Sequence, residues 1–354
     1  MMRQMTKMAK NNAELAALPP ETPVLVTGGA GLIGSAIIHE LNQQGYENIT
    51  VVDHLDCGEK WQNLRALRYV DYYEKDEFAA LLAAQDKKRL PACGTVFHLG
   101  ACSDTTQADA SYLAANNFGF SRNLAQYALS CGAKLIYASS AATYGDGGAG
   151  FVDDETRIEE LRPLNKYGYS KQMVDQLYKR RWNFGAEAAL PMVGVKYSNV
   201  FGPNEYHKGK MRSMFLRCWE QICRCGTVSL FRSYRPEYAD GEQVRDFLYV
   251  KDAARMTVFF MNAGRQCSGL YNVGYGATRS WNDLARAMFA AAGKPVSIEY
   301  IEMPEELRPR YQYYTCLDIG KIRAAGYSAA LMTMEEAARD YVSYLRRGNA
   351  HLGD

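Results

Sequence analysis

The chain predicts an α/β protein built on a doubly wound parallel sheet, with a smaller lobe drawn mainly from its C-terminal half. Three observations carry that expectation. A strand, a glycine turn and a helix follow one another from Val24, and a second strand then ends on an acid, Asp53. Further short apolar runs recur at the spacing of alternating strands and helices. Between Pro203 and Gln243 the pattern turns basic and aromatic (Tyr206, His207, Lys208, Lys210, Arg212, Arg217, Phe231, Arg232, Tyr234, Arg235), which reads as part of a lobe over the strand ends.

The first unit is the most explicit. Val24-Leu25-Val26 reads as a strand and Thr27 to Gly34 as a turn with glycines at 28, 31 and 34. A helix then buries Ile33, Ile37, Ile38 and Leu41 and stops at Gly45. Ile49 to Val52 forms the next strand, with Asp53 at its tip. Glycines in this turn let a backbone approach a pyrophosphate, and the helix start that follows favours anions through its unpaired N–H groups and dipole. An acid at this distance suits the ribose hydroxyls of a dinucleotide; a tight turn without a ligand is the bland alternative. Strands are also expected at Thr95–Leu99, Lys134–Ala138, Val193–Tyr197, Phe247–Val250 and Leu270–Val273. The expected division is a dinucleotide-binding domain over 22–202 with 245–275, a substrate lobe over 203–244 with 276–354, and a flexible extension over 1–21.

Composition narrows the function class. With 41 Lys+Arg against 39 Asp+Glu and no dominant basic block, there is no case for a nucleic-acid partner. The nine cysteines are scattered and read as reduced thiols; Cys223-x-Cys225 is poor zinc spacing, the histidines do not cluster, and no metal site is expected. No apolar run approaches the roughly 18 residues that would span a membrane. Glu14 interrupts the short apolar patch before Pro19-Pro20, which makes a poor secretory signal. A soluble, cytoplasmic protein is expected.

The chemistry centres on Tyr167-Gly168-Tyr169-Ser170-Lys171. Positions i and i+4 share a helix face, so a phenol and an ammonium can enter one cleft. Taken alone, such a pair is more often a solvated face. Ser140, at the end of the strand from Lys134, supplies a hydroxyl nearby in the chain; in isolation it reads equally well as a turn or cap residue. Together with the glycine turn the three form a proton-transfer set. Ser140 orients a substrate hydroxyl, Tyr167 exchanges its proton, and Lys171 binds the nicotinamide ribose while lowering the tyrosine pKa.

With these motifs the chain resembles the extended short-chain dehydrogenase/reductases, and among them the ADP-heptose 6-epimerase family. The resemblance runs from Val24 to about Leu345. It includes Phe97-His98-Leu99-Gly100-Ala101-Cys102-Ser103, Tyr137 to Gly145, Ser198-Asn199-Val200-Phe201-Gly202-Pro203, His207-Lys208-Gly209, Arg245-Asp246-Phe247 and Arg310-Tyr311-Gln312. It implies a Rossmann-type fold and a non-redox inversion, in which hydride leaves C6 of the heptose and returns to the other face of the ketone. Lys208 matches a second proton-transfer group beside Tyr167; a phosphate contact is its plainer alternative. The family further implies cofactor contacts from Gly28, Gly31, Leu32, Ile33, Gly34, Asp53, His54, Lys60, Lys75, Leu99, Gly100, Ala101, Cys102, Ser103, Asn116, Lys171, Val200 and Lys208. Substrate contacts are implied for Ser140, Asn199, Lys210, Arg217, Phe231, Arg232, Ser233, Tyr234, Arg245 and Tyr311. Arg245 would take the diphosphate of ADP-heptose.

Lys60 matches a lysine that binds a 2′-phosphate, so NADP is expected although Asp53 repels that group; NAD remains open because His54 stands where the family has Asn. The resemblance also implies a ring-like homo-oligomer, a pentamer, and a role in supplying heptose for lipopolysaccharide core. Two departures are visible: Ser198 replaces an aromatic residue, and the first 20 residues have no counterpart. Rival readings are a dehydratase, a 4-epimerase, and a non-catalytic cofactor-sensing protein. A dehydratase needs an acidic pair where this chain has Ala141 and Ala142, Lys208 and its flanking motif argue against a 4-epimerase, and the tyrosine and lysine beside Ser140 argue for an enzyme.

Overall fold

The computed structural model describes residues 18–185, 187–188, 191–308 and 311–354. β1 (Val24–Thr27), α1 (Leu32–Gln43), β2 (Ile49–Asp53), β3 (Asp71–Glu74), α2 (Lys75–Ala84) and β4 (Thr95–His98) come first. A short α3 (Ala110–Leu113), a π-turn over Ala114–Gly119 and α4 (Phe120–Cys131) form one helical run ahead of β5 (Lys134–Ser140). There follow α5 (Lys166–Trp182), β6 (Met192–Tyr197), β7 (Asn199–Phe201), α6 (Met214–Arg224) and β8 (Val228–Phe231). Next come β9 (Val244–Arg245), β10 (Phe247–Tyr249), α7 (Val250–Asn262), β11 (Gly269–Val273) and β12 (Arg279–Ser280). The last elements are α8 (Trp281–Ala292), β13 (Ile298–Ile301), α9 (Gly320–Ala324) and α10 (Met334–Arg346).

Seven parallel strands lie in the order β11-β6-β5-β4-β1-β2-β3. The expected doubly wound sheet is therefore present, and its order reverses between β1 and β4. Thr27 is in register with both Val52 and His98, so the loops leaving β1 and β4 open side by side. Such a switch point is where open parallel sheets bind ligands. Strand alternation divides the core. Val24 and Val26 pack with Ile37, Ile38 and Leu41 of α1 and with α7, whereas Leu25 packs with Phe78 of α2, Leu124 of α4 and Tyr178 of α5. Both faces are covered, which is why the central strands read as unbroken apolar runs.

Two strand expectations need correction. β3 was not expected: its Asp71-Tyr72-Tyr73-Glu74 sequence lies at the sheet edge, where burial does not demand an apolar run. Phe247–Val250 was expected in the main sheet, yet Phe247–Tyr249 pairs only with Asn199–Phe201 in a separate two-stranded ribbon. The helix stop expected at Gly45 comes at Gln43, with Gly45 in the turn after it.

Of the expected extension 1–21, residues 1–17 lie outside the described residues. Leu18 is held: its N–H donates to Asn262 Oδ1 at 3.1 Å and its carbonyl accepts from the Tyr46 hydroxyl at 2.8 Å. In the later chain, β8 pairs in parallel with β13, and α8 packs on both α6 and α10. One apolar cluster runs on from β1 to Leu345 and Leu352.

Ile37 is fully buried in this cluster. Ile37→Ala is expected to cost about 2–5 kcal/mol, read as a lower urea midpoint with an unchanged m-value.

Candidate active site

The turn after β1 is shaped by close backbone approach. Gly28 has φ +68°, and a Cβ there would lie 2.6 Å from Gly100 N; one on Gly34 would lie 2.0 Å from Gly28 O. Neither position admits a side chain. α1 starts at Gly31 with no side-chain cap and no acid in its first turn, so its leading N–H groups are left to whatever sits over them. That uncapped helix start and its glycine cradle fit the pyrophosphate of a nicotinamide dinucleotide.

At the tip of β2 the Asp53 carboxylate is fully engaged. It accepts from Ala30 N at 2.7 Å, from its neighbour His54 N at 2.7 Å, and from Lys60 Nζ at 2.5 Å. The lysine expected to read a 2′-phosphate is thus paired with the acid expected to repel it. His54 Nδ1 meets Glu74 Oε1 at 2.9 Å, and the Tyr72 hydroxyl donates to Glu74 Oε2 at 2.6 Å. Lys75 donates to Asn116 Oδ1 at 3.1 Å. Asp53, His54, Lys60, Lys75, Cys102 and Asn116 line one pocket beside the glycine turn.

The β4 exit loop carries the expected Leu99 to Ser103. Asn117, in the π-turn, holds it: Oδ1 accepts from Cys102 N at 2.9 Å, while Nδ2 lies 3.0 Å from Cys102 O and 2.9 Å from Ser170 Oγ. This residue was missed. A lone Asn carries no signal in sequence, and the extra residue of a π-turn defeats the helical period that would have turned it inward.

α5 presents the tyrosine and lysine. Asn165 caps it by accepting from Gly168 N at 2.8 Å. A Cβ on Gly168 would lie 2.7 Å from Ala142 O, so the helix start is pressed against the turn that follows Ser140. Ser140 does cap that turn, accepting from Ala142 N at 3.1 Å, and it also lines the cavity with Tyr167 and Lys171. The cap reading is met, and the cavity sets its hydroxyl in the same space as Tyr167 and Lys171.

The expected electrostatics need correction. Burial holds the Tyr167 hydroxyl above its ordinary pKa; the Ser140 hydroxyl works against that rise and the Cys102 sulfur adds to it. Lys171 is not among the groups that shift it, and its ammonium donates to the Ala138 carbonyl at 2.9 Å. Burial brings Lys171 itself down to about 8, against the opposing influence of Asp175 and Cys102.

Lys208 sits on a tight turn, Tyr206–Met211, and burial lowers its pKa against the pull of Glu205. Two anchors hold this turn's approach. Glu205, fully buried, accepts from Ser213 N at 2.6 Å, Ser213 Oγ at 2.7 Å and the Tyr341 hydroxyl at 3.0 Å. Asn63 Nδ2 donates to Ala30 O at 2.8 Å and to Asn204 O at 2.9 Å, tying the glycine turn to the Lys208 turn. Asn63 was also missed, since it ends a single short helical turn, Glu59–Asn63, and its partners lie far off in the chain.

One cavity brings together Gly28, Gly31, Leu32, Ile33, Gly34, Asp53, Lys60, Leu99, Gly100, Ala101, Ser103, Ser140, Tyr167, Lys171, Val200 and Lys208. A larger cleft adjoins it through Ser140 and Tyr167 and adds Asn199, Thr105 to Ala108, Glu306, Leu307 and Gln312. The other expected substrate residues line neither space. Lys210 is exposed, and its carbonyl accepts from Arg217. Arg232 pairs with Asp240 at 3.1 Å, Ser233 N donates to Asp240 Oδ1 at 2.8 Å, and Tyr234 N to the Tyr313 hydroxyl at 3.0 Å. Arg245 is buried, donates to the Val244 and Gln312 carbonyls, and lies 5.5 and 5.4 Å from the Trp281 and Tyr311 ring centroids. Phe231 meets Tyr311 edge-on, and Trp281 Nε1 donates to the Tyr311 hydroxyl at 2.8 Å. Trp281 was not anticipated; Arg310 lies outside the described residues. Among the described residues there is no cluster that could hold a metal ion and no helix long and apolar enough to cross a membrane.

Gly34→Ala is expected to leave the circular dichroism spectrum intact and to weaken nicotinamide dinucleotide binding at least about tenfold, roughly 1.4 kcal/mol, in a fluorescence titration. Unchanged affinity would mean that the turn yields at Gly28.

Residues 24–274 match the model of the NAD dependent epimerase/dehydratase family. The ADP-L-glycero-D-manno-heptose-6-epimerase of Nitratidesulfovibrio vulgaris strain Hildenborough is 47% identical over 331 residues, covering 93% of this chain and 99% of that protein. Its counterpart in Fusobacterium nucleatum subsp. nucleatum is 42% identical over 344 residues, covering 93% and 100%. Among solved structures, the Helicobacter pylori ADP-L-glycero-D-manno-heptose-6-epimerase superposes with a TM-score of 0.77 at 29% identity, covering 94% of this chain and 99% of that one. The Thermus thermophilus UDP-glucose 4-epimerase in complex with NAD gives 0.70 at 26% identity, covering 92% and 99%. The chain therefore belongs to the NAD dependent epimerase/dehydratase family, in the group of ADP-L-glycero-D-manno-heptose-6-epimerases.

Proposed function

We propose that the protein interconverts ADP-D-glycero-D-manno-heptose and ADP-L-glycero-D-manno-heptose by transient oxidation at C6, in the supply of heptose for lipopolysaccharide core. The observation that carries the reading is Lys208: it is half-buried on a turn of its own and lines the same cavity as Ser140, Tyr167 and Lys171. Inversion at an exocyclic carbon requires the intermediate ketone to be addressed from both faces, so one proton-transfer group is not enough. A nicotinamide, when bound, accepts the hydride from C6 and returns it. The chain's own groups handle the proton. Ser140 orients the C6 oxygen, Tyr167 exchanges a proton with it in one orientation, and Lys208 does so in the other, its ammonium made easier to deprotonate by burial. Lys171 holds the ribose and keeps positive charge beside Tyr167.

Ala141 and Ala142 line the cleft next to Ser140, where dehydration would require an acid and a base. Asn199 and the Thr105–Ala108 loop face the sugar, and Arg245 with Phe231, Tyr234 and Tyr311 serves the ADP end. We take the cofactor to be NADP, with Lys60 leaving Asp53 for the 2′-phosphate and Asp53 holding the ribose when NAD is bound instead. The dinucleotide-binding region comprises 22–202 with 245–275 and the substrate-binding lobe 203–244 with 276–354, and the functional assembly is a homopentamer in the cytoplasm.

In an NMR assay with ADP-D-glycero-D-manno-heptose, Tyr167→Phe and Lys208→Met are each expected to lose about 10²–10⁴-fold in epimerisation while keeping bound cofactor. Full activity of Tyr167→Phe would sink the proton-transfer assignment, and unimpaired Lys208→Met would demote that lysine to a binding residue. Lys60→Ala is expected to weaken NADP well beyond NAD in a direct titration; equal losses would show that Lys60 does not read the phosphate.

A further inference from the structure

Behind the catalytic helix lies an ion pair that the chemistry above does not use. Asp175 follows Lys171 by four residues and Tyr167 by eight, on the same face of α5. Its side chain is fully buried, as is that of its partner Lys196 on β6, and the two are 2.8 Å apart. The Asp175 carboxylate also accepts from the Tyr137 hydroxyl at 2.9 Å and the Ser139 hydroxyl at 2.7 Å, both on β5. Lys196 donates onward to Thr143 Oγ1 at 2.6 Å and lies 5.0 Å from the Tyr144 ring centroid. Thr143 Oγ1 in turn donates to the Ser140 carbonyl at 2.8 Å.

A buried ion pair contributes little net stability compared with apolar packing of the same volume, because desolvation offsets its attraction. Its connections suggest another use. Tyr137 and Ser139 flank Ala138, whose carbonyl holds the Lys171 ammonium, and the Lys196–Thr143 branch ends on the backbone of Ser140. The pair therefore grips both strand-end groups that the catalytic set relies on.

We propose that Asp175 and Lys196 are positioning residues for the reaction: the pair aligns Ser140 through Thr143 and, through Tyr137 and Ser139, holds the strand end whose Ala138 carbonyl takes the Lys171 ammonium. The inference rests on the roles proposed for Ser140, Tyr167 and Lys171. Asp175 opposes the burial that brings Lys171 down, so removing its charge lets the ammonium deprotonate at lower pH. The other groups around Lys171 are Tyr167 on its own helix, Cys102 from the β4 exit loop, neutral buried His98 at the end of β4, and Lys208 across the cavity. Of these only the Cys102 sulfur also opposes the fall of Lys171, and Asp175 opposes it more strongly.

The test compares pH profiles of kcat in the cofactor-loaded enzyme for Asp175→Asn, the neutral double variant Asp175→Asn/Lys196→Met, and Thr143→Val. Asp175→Asn is expected to move the alkaline limb down by about one unit, whereas the neutral double variant, which also removes the Lys196 ammonium, is expected to move it less and to lower kcat several-fold. The double variant, which leaves no unpaired buried charge, serves if Asp175→Asn fails to fold. Thr143→Val, with its charges intact, is expected to lower kcat several-fold without moving the limb or KM. Asp175→Asn with the parent's limb overturns the charge role, and Thr143→Val or the double variant with the parent's kcat overturns the alignment role. Tyr167→Phe, run alongside, separates the failures: if it stays fully active the proposed chemistry falls, and if it is inactive while the other variants behave like the parent, only the positioning role falls.

Discussion

Everything in the site depends on three backbone contacts made without side chains between them. Gly28 lies against Gly100, Gly34 against the Gly28 carbonyl, and Gly168 against the Ala142 carbonyl. The first two contacts join the β1 exit, the start of α1 and the β4 exit; the third presses the start of α5 onto the Ser140 turn. Because these distances admit no Cβ, the uncapped N–H groups of α1 and the hydroxyls of Ser140 and Tyr167 border one continuous cavity. Packing density therefore sets the chemistry as directly as the polar side chains do.

The charges in that cavity are less free than their number suggests. Lys60 is paired with Asp53, and Lys171 is turned to a carbonyl. Lys208 is half withdrawn from water beside buried Glu205. Burial moves Tyr167 up and both Lys171 and Lys208 down, toward neutral forms. A pocket of this kind pays little reorganisation when a polar substrate replaces water, since its donors are already held.

Much of this was legible in the chain. The β1–α1–β2 unit, the strands lining the switch point, and Ser140, Tyr167 and Lys171 could be read because each combines residue type with local spacing, whereas Lys208 was pointed to by the family resemblance alone. Other features were not, for physical reasons. β3 is an edge strand with polar, partly exposed residues, so burial leaves no apolar signature. β10 has that signature, yet it is buried in a ribbon with β7 rather than in the main sheet. Asn63 and Asn117 act through pairings across the fold, which no local pattern encodes. The Tyr167 electrostatics went the other way because sequence shows that Lys171 is near without showing where its ammonium points.

The π-turn at Ala114–Gly119 has a consequence for how this segment can vary. An α-helix turns about 100° per residue, so one surplus residue puts the stretch before it out of phase with the stretch after it. Leu113 and Leu124 are both buried, but on opposite sides of that phase break. A single-residue deletion between them would restore ideal geometry and rotate one half against the other. Asn117 would then lose either the Cys102 loop or Ser170. Local regularity is incompatible with the site here, and the irregular turn is the form in which the helix is functional.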